Sequence, residues 1–93
     1  MQFDWNPEKS EANLKKHGVS FDEAATVFGD FLARIFDDEV HSENERRELI
    51  IGMSATNRIL IVSFTERDGD TIRIISARET TPRERRKYEH ETG

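Results

Sequence analysis

Hydrophobic residues recur at strand-like and helix-like intervals along this chain of 93 residues. Phe3 and Trp5 alternate with polar residues and predict a short first strand, whereas the apolar spacing from Phe21 to Phe28 predicts a helix. Runs rich in branched and aromatic residues predict four more strands, at residues 33–38, 46–54, 58–67 and 71–79. Short turns join the last three runs, a pattern typical of an antiparallel meander.

Helix boundaries are marked by residues that satisfy the free backbone groups at helix ends. These signals are Asn6 with Pro7, then Gly18, the pair Ser20 and Glu23, and the pair Thr81 and Glu84. The first is an N-cap with proline at the first helical position, the second a C-terminal glycine, and the two pairs match the capping box. They predict helices over residues 7–17, 21–28 and 82–90.

The predicted order is a strand, two helices, four strands and a helix. This order indicates an α+β fold with an antiparallel sheet and the helices packed on one face. Alternation along residues 71–79 predicts that Ile72 and Ile74 face one side of the sheet and that Ile75 and Ala77 face the other. The length indicates a single domain, residues 1–93, which buries roughly 60–65% of its unfolded surface.

Composition indicates whether the chain folds and where in the cell we expect it. Hydrophobic residues make up 34% of the chain and charged residues 35%, yet the apolar blocks are periodic, so we expect a folded domain. The chain has no cysteine, which excludes disulfides and thiolate metal sites. No apolar run approaches ~18 residues and the first residues lack signal-peptide character, so we expect a soluble, cytoplasmic protein without membrane contact.

The charge is unevenly distributed. The net charge of −5 argues against casual nucleic-acid binding, but residues 1–45 carry −7 and residues 46–93 carry +2. Arg73 and Arg78 stand in an otherwise apolar strand, where arginine is seldom found without a partner or a function. Because the guanidinium group matches phosphate in a bidentate geometry, a local anion-binding surface is predicted, with phosphate as the first anion to consider.

Short motifs in a specific order span nearly the whole chain. They are Trp5, Lys9 and Asn13; Lys16-His17-Gly18; Phe21, Glu23-Ala24 and Phe28; Asp37; Glu45-Arg46; Gly52; Ile72-Arg73-Ile74-Ile75-Ser76-Ala77-Arg78; Glu84-Arg85; and Tyr88. In this order and spacing they resemble the BrnT-type toxins of bacterial type II toxin–antitoxin systems. The resemblance implies a RelE-like fold and an RNA-cleaving toxin that inhibits translation. It also implies a hetero-oligomer with a cognate antitoxin, through which alone DNA would be contacted.

RNA cleavage through the ribose 2′-hydroxyl needs a base, an acid and cations that stabilise the phosphorane. No convincing metal-ligand spacing occurs in the sequence, so we expect a route without metal or other cofactor. His17 is the acid/base candidate, because a helix C-terminus favours its protonated form. The alternative is that it satisfies carbonyl groups near Gly18.

Further catalytic candidates each have a structural alternative. Arg67 and Arg78 lie at strand ends and are candidates for phosphate contact, or for ordinary salt bridges to nearby glutamates. Glu45 is a candidate base, or a solvated loop carboxylate, and Tyr88 is a candidate proton donor or base-stacking residue, or packs the last helix on the sheet. The predicted RNA-binding residues, whose alternative is a salt bridge or a solvated face, are Lys16, Arg46, Arg73, Arg83 and Arg85.

A second class of function stays open: a partner-binding or corepressor subunit of the same fold with little or no catalysis. Convergence of the catalytic candidates on one open surface would favour the enzyme, and scattering would favour the binding subunit. A directly DNA-binding repressor is disfavoured, because the sequence shows no helix-turn-helix with a basic recognition helix.

Overall fold

The framework of the protein is a five-stranded mixed sheet. A computed structural model describes the backbone of residues 1–92 and the side chains of residues 1–89. The strands are β1 (Gln2–Asp4), β2 (Arg34–Asp37), β3 (Glu48–Met53), β4 (Ile59–Arg67) and β5 (Thr71–Glu79). Across the sheet they lie in the order β1-β5-β4-β3-β2. Neighbours from β2 to β5 are antiparallel, whereas β1 runs parallel to β5.

Three helices pack on this sheet. They are α1 (Pro7–His17), α2 (Phe21–Thr26) and α3 (Pro82–Thr92), with short 3₁₀ turns at Val27–Gly29 and Glu39–His41. The Asn6 side chain accepts from the backbone N–H groups of Glu8 and Lys9, and Gly18 ends α1 with a left-handed φ of 69°. The predicted bounds of α1 are therefore confirmed, whereas α2 is shorter than predicted because a 3₁₀ turn takes its last residues.

The α+β class is confirmed, but two predicted features of the sheet are wrong. The sheet is not fully antiparallel, because β1 pairs with β5 in the parallel direction, with Gln2 opposite Thr71. The helices do not share one face, because Tyr88 of α3 packs on Ile51 and Ile61, on the side opposite α2. We call the side of the sheet that packs against α2 the α2 face and the opposite side the α3 face.

The main core lies between the sheet and α2. Its buried members are Val19, Phe21, Ala24, Val27, Ile50, Leu60, Val62, Phe64, Ile72, Ile74 and Ala77. Aromatic rings interlock along it: the centroid of Phe28 lies 5.0 Å from that of Phe64 in an edge-on arrangement and 5.2 Å from that of Phe3. The core aromatic residues thus fasten β1, the 3₁₀ turn after α2 and β4 together.

A β-bulge in β5 changes which residues face each side of the sheet. Ser63 lies opposite Ser76 while Phe64 lies opposite Ile74, so Ile75 is an extra residue in β5. Ala77 consequently joins Ile74 in the α2-face core rather than facing the other side with Ile75, and the predicted alternation is wrong at this point. The same bulge moves Arg78 to the α3 face, where it lies opposite Ile61.

Asn13 of α1 replaces a missing strand at the edge of β5. The register of β1 with β5 stops at Arg73. Four residues farther along, the buried Asn13 amide donates to the Ala77 carbonyl at 2.8 Å and accepts from the Ala77 N–H at 3.1 Å. It also donates to the Val19 carbonyl at 2.9 Å. Asn13 therefore fastens α1 to the bulged half of β5, next to Arg78.

Candidate functional site

An open groove lies on the part of the α3 face that α3 leaves uncovered. Its volume is about 330 Å³. Strands β3, β4 and β5 form the floor, and the start of α3 and the segment 38–47 form the sides. The lining residues are Asp38, His41, Arg47, Leu49, Ile61, Ser63, Ile75, Ser76, Arg78 and Glu84. We call this feature the α3-face groove.

Arg78 is held rigidly at the α3 side of the groove. Its two terminal nitrogens donate to the two carboxylate oxygens of Glu84, at 2.8 and 2.9 Å. Glu84 also accepts from the Thr81 N–H at 2.9 Å, and its own N–H donates to the Thr81 hydroxyl, which completes the predicted capping box. The hydrogen bonds from Arg78 lower the pKa of Glu84 to about 2. The start of α3 therefore orients the guanidinium group.

Arg47 is the cation of the groove that the sequence analysis did not single out. Its Nε is buried without a hydrogen-bond partner, and its guanidinium has no ion pair with any residue that the structure describes. Most buried polar groups in proteins are satisfied, so an orphaned guanidinium nitrogen beside an open groove needs explanation. A sequence signal existed: Arg47 precedes Leu49 and Ile51 at intervals of two residues, which places all three on one face.

The segment 38–47 also carries a paired histidine. In the 3₁₀ turn, Nδ1 of His41 lies 3.0 Å from Oδ2 and 3.2 Å from Oδ1 of Asp38. The Ser42 hydroxyl donates to the Asp38 carbonyl at 2.6 Å and accepts from the Arg47 N–H at 3.0 Å. The Asp38 N–H donates to the Arg47 carbonyl at 2.9 Å, so His41, Asp38 and Arg47 belong to one fastened loop. The sequence analysis assigned His41 no role.

The predicted catalytic residues do not converge on one surface. Arg78 lines the α3-face groove. Glu45 lines an adjoining hollow of about 440 Å³, which shares His41 and Arg47 with the groove. Glu45 also forms an exposed ion pair with Arg67, with 3.4 Å between Oε2 and the terminal nitrogen.

Tyr88 is buried beside the sheet and does not line the groove. Its hydroxyl donates to Oδ2 of Asp30 at 2.7 Å, and the same oxygen accepts from the Met53 N–H at 2.8 Å. Burial, and then the contact with Asp30, raise the pKa of Tyr88 to about 12. This geometry matches the alternative in which Tyr88 packs the last helix onto the sheet.

The remaining predicted residues lie outside the groove. His17 and Lys16 end α1, which lies at the edge of β5. Three predicted RNA-binding arginines have carboxylate partners: Arg46 with Asp37 at 2.7 Å, Arg73 with Asp4 at 3.3 Å and Arg85 with Glu89 at 3.2 Å. Arg83 is exposed on α3. The cationic residues are therefore spread over several surfaces, and Arg47 and Arg78 are the two that line the groove.

Two other kinds of site are absent from the described part of the chain. No three or more His, Cys, Asp or Glu side chains there are grouped so as to hold a metal ion. No helix among residues 1–92 combines the length and the apolar character needed to cross a membrane.

The protein therefore combines a mixed sheet with an open groove that is lined by arginines. The groove lies on the face of the sheet away from two of the three helices. The family described as the ribonuclease toxin BrnT of type II toxin–antitoxin systems matches residues 5–84. The match spans most of the chain, and the chain belongs to this family of ribonuclease toxins. Membership implies a cognate antitoxin as partner. The resemblance inferred from the sequence is thereby confirmed.

A solved structure shows the same fold. The crystal structure of the Brucella abortus ribonuclease toxin BrnT is 23% identical in sequence, with a TM-score of 0.69. The similarity covers 87% of this chain and 97% of the Brucella chain. No curated protein matches the sequence.

Proposed function

We propose that this protein is an endoribonuclease toxin that cleaves RNA in the α3-face groove. The observation that carries the proposal is Arg47, a partly buried cation without an ion pair among the described residues, which lines the groove together with Arg78. Two guanidinium groups at one groove match the charge that develops on a phosphate under attack. The hydroxyls of Ser63 and Ser76 on the floor add hydrogen-bonding groups for phosphate or ribose oxygens.

The chemistry we propose is metal-independent transesterification. The ribose 2′-oxygen attacks the adjacent phosphorus, the bond to the 5′-oxygen breaks, and a 2′,3′-cyclic phosphate and a 5′-hydroxyl result. Arg47 and Arg78 stabilise the phosphorane, and Glu84 keeps Arg78 in place. A rigid, preoriented cation stabilises such charge better than a mobile one, because it does not reorganise during the reaction.

The basic face of α3 supports RNA approach despite the net charge of −5. Arg83 and Arg86 are exposed on this helix, and its first residues border the groove. Local positive charge steers a polyanion even when the whole protein is acidic, since the field near the surface is set by the nearest charges. We therefore propose that RNA enters across α3, with Arg83 and Arg85 among its phosphate contacts.

At the level of the cell, the proposal includes the properties that the family resemblance implied. The protein has a RelE-like fold, acts in the cytoplasm and inhibits translation by removing messenger RNA. A cognate antitoxin neutralises it in a hetero-oligomer and supplies the contact with DNA.

One observation favours a second candidate, a partner-binding or corepressor subunit with weak or no catalysis. Ion pairs hold most of the arginines that the sequence analysis named, and the pair between Arg78 and Glu84 lies in the groove itself. A neutralised arginine attracts phosphate less strongly than a free one. Under this alternative the groove binds a partner, and the paired arginines serve the fold.

The deciding experiment measures RNA cleavage by the purified protein under two conditions. In the first, single-stranded RNA is incubated with the protein in excess EDTA. In the second, the same RNA is translated in a cell-free reaction. Fragments ending in 2′,3′-cyclic phosphate in the first condition support the metal-independent nuclease. Fragments in the second condition alone support a ribosome-dependent nuclease, and intact RNA in both supports the binding subunit.

Variants of Arg47 test the site assignment. Arg47→Ala removes the cation without an ion pair and is expected to lower the cleavage rate by about 10²–10³-fold, the usual effect of removing one transition-state donor. Arg47→Lys keeps the charge and loses the planar fork, so an intermediate loss is expected. Lys9→Ala is the matched control, because it removes one exposed positive charge on α1. Equal rates in the Arg47→Ala and Lys9→Ala proteins would contradict a role of the groove in cleavage.

A further inference from the structure

The contact between His41 and Asp38 defines the protonation of the imidazole ring. An ionised carboxylate only accepts hydrogen bonds, so the ring nitrogen that faces it, Nδ1, carries a proton. In the neutral ring the other nitrogen, Nε2, then has a free lone pair. A histidine oriented in this way by a carboxylate is the arrangement that accepts a proton from a hydroxyl group in many hydrolytic sites.

The location of the pair favours chemistry in the groove. His41 lines both the α3-face groove and the adjoining hollow, in each case together with Arg47. The His41 side chain is 63% exposed whereas that of Asp38 is 11% exposed, so the carboxylate is shielded and the imidazole is accessible. The hydrogen bonds of Ser42 with Asp38 and Arg47 fix the histidine and the arginine in one loop.

Other candidate bases are less suited. Tyr88 donates to Asp30 and is buried. Glu45 is held by Arg67, and Glu84 by Arg78. His17 lies at the end of α1 and does not line the groove. Among the described residues that line the groove, His41 is the one that carries an imidazole, the side chain used most often as a general base.

We propose that His41, oriented by Asp38, is the general base of the site. This proposal rests on the function proposed above and names the residue that starts the reaction. Nε2 of His41 takes the proton of the ribose 2′-hydroxyl while the 2′-oxygen forms its bond to phosphorus. The bond from phosphorus to the 5′-oxygen breaks, and the departing oxygen takes a proton from water. Arg47, on the same loop, binds the phosphate under attack, and Asp38 is a positioning residue that acts through His41.

The experiment compares single-turnover cleavage of one short RNA by the full-length wild-type protein and three variants. His41→Ala is expected to lower the rate by about 10²–10⁴-fold, the usual contribution of a general base. Asp38→Asn is expected to lower it by about 10-fold or more, because an amide can present an N–H group to Nδ1 and reverse the ring tautomer. Glu39→Gln is the matched control in the same turn, since Glu39 is exposed and does not line the groove.

Two further measurements separate catalysis from a structural role of His41. The His41→Ala protein should bind a non-cleavable RNA, with a 2′-deoxyribose at the scissile position, within about 3-fold of the wild-type affinity. Added imidazole should restore part of its cleavage rate and should leave the Arg47→Ala rate unchanged. Weakened binding without rescue would show that His41 only maintains the loop, and would overturn the proposal.

The outcomes distinguish this proposal from the proposed function. If the wild-type protein leaves RNA intact in both conditions described above, the nuclease function itself fails and the assignment of His41 fails with it. If the wild-type protein cleaves and His41→Ala cleaves equally well, the nuclease stands and His41 is not its base. Loss of cleavage in His17→Ala but not in His41→Ala would return the acid/base role to the end of α1.

Discussion

Replacement of Asn13 by alanine tests whether α1 is fastened to β5 by a side chain that acts in place of a strand. The Asn13 side chain makes three hydrogen bonds, two with the backbone of Ala77 and one with the carbonyl of Val19. Asn13 is 7% exposed and Ala77 is 1% exposed. Water therefore has little access to the backbone groups that the substitution would leave without partners.

The expected cost follows from the number of groups left unsatisfied. A typical intramolecular hydrogen bond contributes about 1 kcal/mol net, and a buried group without a partner costs about 1–3 kcal/mol. Three lost bonds give a decrease of about 3 kcal/mol in the free energy of unfolding. For a domain of this size each kcal/mol corresponds to about 4–8 °C, so the melting temperature should fall by about 10–25 °C.

Urea denaturation followed by circular dichroism measures this loss. Asn13→Asp is an informative second variant: it retains an acceptor for the Ala77 N–H but loses both donated bonds, so its loss is expected to be similar. Asn44→Ala, at an exposed position, is the control and should change the free energy of unfolding by less than about 0.5 kcal/mol. If Asn13→Ala and Asn44→Ala were equally stable, the reasoning that Asn13 completes the edge of β5 would be refuted.

The remaining predictions concern two glutamate–arginine pairs. Hydrogen bonds from Arg58 lower the pKa of Glu23 to about 2, and those from Arg78 do the same for Glu84. Both pKa values in the folded protein lie below the ordinary value of 4.5, so the two pairs stabilise the fold fully above about pH 4.5. This stabilisation is lost as the pH falls towards 2. It amounts to about 2 kcal/mol in the free energy of unfolding for each pair, after allowance for partial exposure. Urea denaturation at pH 7 and pH 3 should show this loss of stability in the wild-type protein and a smaller loss in the Glu23→Gln protein. Identical losses in the two proteins would contradict a contribution of Glu23 to the pH dependence. Arg78→Ala should relieve growth inhibition in bacteria that express the protein while its circular dichroism spectrum stays native, and undiminished toxicity would exclude Arg78 from the site.

Local signals in the sequence predicted the helix ends well. Asn6 and Gly18 define α1 because capping depends on residues adjacent in the chain. The box of Thr81 and Glu84 formed fully. That of Ser20 and Glu23 formed in part: the Glu23 N–H donates to the Ser20 hydroxyl, but the Glu23 carboxylate binds Arg58 instead. The Glu23 carboxylate thus accepts from Arg58, which is distant in the sequence, and not from the backbone N–H of Ser20 as in a complete capping box.

Features that depend on residues far apart in the chain escaped the sequence analysis. The direction of β1 depends on the pairing of Gln2 with Thr71, which no local pattern encodes. The face of the sheet on which α3 packs depends on the packing of Tyr88 and on its hydrogen bond to Asp30. His41 could not be related to the groove from the sequence, because the groove forms only when β3, β4 and β5 are assembled in one sheet.

The single extra residue in β5 has a consequence for how chains of this kind can change. The bulge takes up one residue of the alternation, so residues 76–79 keep their pairing with β4 whatever residue stands at position 75. A substitution at residue 75 leaves this arrangement intact, and deletion of residue 75 would remove the bulge and place Arg78 three residues after Ile74, still on the opposite side of the strand. In a related chain whose strand is regular, an arginine three residues after the equivalent of Ile74 therefore corresponds to Arg78, although the spacing alone would align it with Ala77.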